Sequence, residues 1–72
     1  MKYETMIFCK ILSGLYQQKV FSKEKRDRMV HSWQDSTALG DTEKMICLIQ
    51  EVSAANTNPV WSQELNEILE RI

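Results

Sequence analysis

Apolar residues recur along this chain at helical rather than strand spacing. Between about Lys2 and Gln18, Ile7, Phe8, Cys9, Ile11, Leu12, Leu15 and Tyr16 cover an arc of roughly 200° when successive residues are set 100° apart, while Lys2, Lys10, Ser13, Gly14 and Gln17 hold the other side. So wide an arc exceeds one packing seam. The first helix is therefore expected to meet two neighbours, within the domain or across a dimer, with Tyr3 and Met6 toward its polar margin.

A second helix is predicted over about Ser22 to Asp35, with Ser22 as N-cap and Phe21 where a hydrophobic staple sits. Lys25 stands where a capping box places Glu or Gln, so the break after the first helix is weakly marked. Met29, Val30 and Trp33 form a thin apolar set, which predicts a largely solvated helix. Ser36 to Gly40 reads as a loop.

Asp41 or Thr42 is suited to cap a third helix running to about Ala54, in which Met45, Leu48, Ile49 and Val52 make a stripe at i, i+3, i+4 and i+7. Cys47 falls on its opposite face, near Glu43, Gln50 and Glu51. Asn56-Thr57-Asn58-Pro59 is the clearest punctuation, because proline fits the first helical position and asparagine the cap before it. Trp61, Leu65, Ile68 and Ile72 then step by four and three through a last helix, with Leu69 beside the seam and Glu67 and Glu70 facing away.

Sustained period-two alternation and hairpin dipeptides are missing from the sequence. The expected fold is all-α: one domain over residues 1–72, built as a small four-helix or three-plus-one helical unit, with dimerisation as one way to bury more surface. The central core set is Phe8, Leu12, Leu15, Leu48, Ile49, Leu65 and Ile68. A domain of 72 residues buries a smaller fraction of its surface than a larger domain does, so docking onto a partner or a second copy is a natural complement.

Charge adds an asymmetry that the net value of −1 conceals. Residues 1–36 carry seven Lys/Arg against four Asp/Glu, and residues 37–72 carry two against six, giving halves of +3 and −4. The positive excess concentrates in Lys19, Lys23, Lys25, Arg26 and Arg28, set against Glu24 and Asp27. Cations in a first helical turn oppose the helix dipole, so local stability does not account for this cluster.

Most chemistry fits the sequence poorly. His31 is the only histidine, which leaves a nucleophile without an obvious activating base. Cys9, His31 and Cys47 are scattered over three elements without metal-ligand spacing, and the two cysteines are too few for a disulfide framework. Gly14 and Gly40 stand alone, so no phosphate cradle is present. Glu64, Glu67 and Glu70, at i, i+3 and i+6, read as a solvated or interfacial acidic face. The apolar runs Met6–Cys9 and Met45–Ile49 are far shorter than a signal-peptide core or a membrane span, so a reducing cytoplasmic setting without membrane insertion is expected.

The function expected from these features is non-enzymatic and cofactor-free: a small regulator, inhibitor, adaptor or chaperone subunit that binds another protein, as a homo-oligomer or in a hetero-complex. The contact residues expected are Lys23, Lys25, Arg26 and Arg28 on the second helix, and Trp61, Glu64, Leu65, Glu67, Ile68, Glu70 and Ile72 on the fourth. Nucleic-acid binding through the second-helix patch is the alternative, and a structural assembly subunit the third reading. A helix-turn-helix reading would make the third helix the groove reader, and its only basic residue is Lys44.

Overall fold

The computed structural model describes residues 2–72, apart from the side chain of Lys2, and contains four helices: α1 (Lys2–Gln17), α2 (Lys23–Leu39), α3 (Thr42–Ala55) and α4 (Pro59–Arg71). The described residues form no strand, so the domain is all-α. Three N-caps lie where the sequence places them. The Ser22 hydroxyl accepts from the Lys25 amide at 3.1 Å and the Asp41 carboxylate from the Lys44 amide at 3.2 Å. Asn58 Oδ1 accepts from the Val60 amide at 2.9 Å, with Pro59 at the head of the helix. Each removes one unsatisfied amide from a helix start.

One boundary departs from the expectation. Ser36 to Gly40 is not a loop: α2 continues to Leu39. The hydroxyl-rich stretch stays helical because its side chains bond back to their own helix, Ser36 Oγ to the Ser32 carbonyl at 2.6 Å and Thr37 Oγ1 to the Gln34 carbonyl at 2.9 Å, instead of drawing the backbone into a turn. Gly40 at φ 67° then ends the helix: its amide donates to the Thr37 carbonyl and the Asp41 amide to the Ser36 carbonyl. That pair of bonds is the Schellman closure.

Contacts between elements give the helix directions. Thr5 and Phe8 meet Trp33 while Tyr16 meets Arg26, so α1 and α2 run in opposite senses. Lys25 near the start of α2 pairs with Glu51 near the end of α3. Glu4 pairs with Arg71, Lys10 with Glu64, and Gly14 lies against Trp61, which sets α4 antiparallel to α1. The result is an up-down-up-down arrangement in which each helix packs on its chain neighbours and α4 closes back on α1. The wide apolar arc of α1 thus faces two helices, α2 and α4.

Trp33 anchors the core. It is fully buried, stacks on Phe8 with ring centroids 4.1 Å apart, and donates its indole N–H to Thr5 Oγ1 at 3.0 Å. Burying a tryptophan is favourable when the N–H finds such a partner. Around it lie Ile11, Leu12, Leu15, Phe21, Met29, Met45, Ile49, Val52, Leu65 and Ile68. Of the seven expected central residues, Leu48 is the exception: it is partly buried and packs against the core from its edge. The α3 stripe is wider than its contact, so Met45, Ile49 and Val52 fill the interior and Leu48 lies on its flank.

Gly14 is a third correction. Grouped by periodicity with the polar side of α1, it instead receives the indole of Trp61: a Cβ placed there would stand 2.7 Å from Trp61 Cζ2 and closer still to Cη2. Without a side chain at position 14, the ring of α4 lies directly on the α1 backbone.

Candidate functional site

Two surfaces were expected to meet partners, and the fold treats them differently. On α4, Leu65 and Ile68 are fully buried in the domain's own core, Trp61 packs on Gly14, and Ile72 lies against the core. The apolar seam is therefore occupied within the chain and is not an outward contact surface. Glu64 also turns inward: it pairs with Lys10 at 3.8 Å, and its Oε2 is buried without a hydrogen-bond partner among the described residues. Glu67 and Glu70 remain exposed, so the acidic trio does not act as one face.

The basic segment stays largely on the surface, at the end of the domain where α1 passes into α2. The turn is fixed by backbone bonds. The Val20 amide donates to the Leu15 carbonyl at 2.9 Å and the Lys19 amide to the Tyr16 carbonyl at 3.0 Å, the same Schellman closure that Gly40 makes after α2. Here the left-handed position is Lys19, at φ 64°, the only non-glycine residue with positive φ among those described. A residue bearing a Cβ is disfavoured there by on the order of 1 kcal/mol relative to glycine.

The turn sends Phe21 into the core and leaves Val20 47% and Tyr16 38% exposed. Tyr16 belongs to the apolar arc by periodicity, but the arc's edge lies beyond the buried contact. Its ring carries the Arg26 guanidinium, 4.6 Å from the centroid, and Arg26 Nε and Nη2 both donate to Asp27 Oδ1, at 3.0 and 2.8 Å. Lys25 lies over the Phe21 ring at 4.7 Å and reaches Glu51 at 3.2 Å. Two of the four cations expected to bind a partner, Lys25 and Arg26, are thus already matched within the chain. Lys23 and Arg28 are exposed without an ion-pair partner among the described residues, and so is Lys19.

The resulting surface joins an aromatic ring, an exposed valine and uncompensated cations. Sequence reasoning included Lys19 in the basic run but left Lys19, Val20 and Tyr16 out of the contact set, because a Schellman turn closed without glycine has no residue-type signature. The other exposed apolar residues lie elsewhere: Leu39 at the far end of α2, Val60 beside the α4 cap, and Met6 and Tyr3 on α1, where Arg71 covers the Tyr3 ring at 4.9 Å and is itself paired with Glu4.

The reactive residues do not converge. His31 is exposed, Cys47 is exposed on the outer side of α3, and Cys9 is half-buried on α1. Burial pushes the Cys9 thiol above its ordinary pKa by disfavouring the thiolate. Among the described residues no three His, Cys, Asp or Glu side chains gather as metal ligands, and no helix is long and apolar enough to cross a membrane. The exposed side of α3 carries Glu43, Lys44, Cys47, Gln50 and Glu51, a composition ill suited to a nucleic-acid groove.

Comparison with protein-family models, curated protein sequences and solved structures returned no match.

Proposed function

We propose that this chain is a small non-enzymatic protein-binding module, a cytoplasmic regulator or adaptor, whose contact surface is the α1–α2 turn and the first turn of α2. The observation that supports it most is the exposure of Tyr16 and Val20 next to Lys19 and Lys23, which have no ion-pair partner among the described residues. Apolar and aromatic area rimmed by charge is the composition of a protein contact. Two unpaired cysteines on separate helices suit a reducing compartment.

The partner is a different protein. A two-fold contact between copies through this end would set like charges against one another, which disfavours it. A regulator or adaptor needs only such a surface on a rigid support, and the Arg26 fork held between Tyr16 and Asp27 supplies that rigidity.

A photo-crosslinking residue at Val20 tests the proposal in cells that express the protein. The expected result is one discrete adduct with an identified protein, competed by excess wild-type chain and not by a Lys19→Glu/Lys23→Glu variant. A crosslinker at Leu39, more exposed than Val20 and at the far end of α2, should give no competable adduct. Equal labelling from both positions would overturn the assignment of this end.

A further inference from the structure

We infer that the surface around the α1–α2 turn takes an acidic segment that also carries apolar side chains, and that Lys19 determines this specificity; the inference rests on the protein-binding reading above. The chain closes two helices with the same Schellman geometry. At Gly40, φ 67°, the left-handed position has the residue the geometry favours, and at Lys19, φ 64°, it does not. Attraction between a cation and the α1 C-terminus is not a sufficient reason, because a lysine at Gln17 or Gln18 would supply it without a left-handed Cβ. What position 19 provides alone is a cation on the turn itself, next to exposed Val20.

The character of the ligand follows from the arrangement of charge. Over residues 19–28 five cations face two anions, and Glu51 compensates one more cation from α3. The remaining positive excess selects an anionic partner. It suits separate carboxylates better than a phosphate chain. Asp27 already takes the Nε/Nη2 edge of the arginine beside the ring, and Glu24 and Asp27 interrupt any continuous track for a polyanion. Tyr16 and Val20 add apolar contact that a purely ionic ligand would leave exposed to water.

The test uses the full chain and a fluorescein-labelled peptide of Glu-Glu-Leu repeats, followed by anisotropy at low and moderate salt, beside polyglutamate and a single-stranded RNA of equal charge. The Leu-bearing peptide should bind more tightly than both. Lys19→Gly should raise the thermal midpoint by about 4–8 °C through release of the left-handed strain, yet weaken peptide binding by about three- to fivefold. Lys19→Gln should weaken binding as much without the stabilisation, and Lys19→Arg should retain it. Unchanged binding in Lys19→Gly would overturn the role of Lys19, and RNA binding at least as tightly as the peptide, or a peptide that does not bind, would overturn the ligand class. If the Val20 adduct persists while these arms fail, only the inference falls; if the adduct is also lost, the binding surface falls with it.

Discussion

Replacing Gly14 with alanine reverses the sign of a familiar effect. On a solvent-facing helical position, Gly→Ala stabilises by about 0.8–1.0 kcal/mol, because alanine loses less backbone entropy and has the best intrinsic propensity. At Gly14 the new Cβ meets Trp61, standing 2.7 Å from Cζ2 and closer to Cη2. Carbon atoms favour about 3.5–4.0 Å, and Cη2 is the closer atom, so the indole must withdraw by about 1.5 Å or more, and overpacking of this kind costs about 1–3 kcal/mol. The propensity gain offsets part of this, leaving a net destabilisation of up to about 2 kcal/mol. The decisive quantity is the coupling to Trp61. In a Trp61→Ala background the clash is gone and Gly14→Ala should recover its full propensity gain, so a double-mutant cycle by urea denaturation should give a coupling of at least about 1 kcal/mol. Stabilisation by Gly14→Ala in the wild-type chain, additive with Trp61→Ala, would refute the α1–α4 packing described above.

Further perturbations probe the core and the thiols. Ile49→Ala should cost about 2–5 kcal/mol in chemical denaturation, whereas Leu48→Ala, one residue earlier but on the flank, should cost about 1–2 kcal/mol; equal losses would contradict the placement of α3. With iodoacetamide on the native protein, exposed Cys47 should be alkylated before Cys9, and mass spectrometry of time points should show Cys9 lagging until the chain is unfolded by urea. Because the Cys9 pKa is raised on folding, its contribution to stability is fully present below the unfolded thiol's pKa and is lost as pH rises through the folded one. Replacing Cys9 with alanine should flatten that alkaline decline.

The four helices were legible because each carries apolar periodicity and three of them, α2, α3 and α4, are also marked by a cap. Ser22, Asp41 and Asn58-Pro59 carry local hydrogen-bond chemistry that acts whatever packs nearby. Periodicity identified faces but not neighbours. It grouped Gly14 with the polar side of α1, since a glycine has no side chain from which its docking role can be inferred, and it treated the α4 seam as available when α4 uses it to close the bundle. The end of α2 was misplaced because Ser36 and Thr37 have turn-like residue types, and whether their hydroxyls bond their own helix is settled only by helical geometry. The candidate site was half visible: composition gave the cations, while the exposure of Tyr16 and Val20 and the left-handed Lys19 emerge only when the turn is built.

Hydrogen–deuterium exchange of the chain, alone and in complex with the protein captured through Val20, tests the assigned surface most directly. Protection should appear in the peptides covering residues 16–28, with the α4 segment around Glu67 and Glu70 exchanging as in the free chain. Protection on that acidic segment with none over the α1–α2 turn would contradict the account.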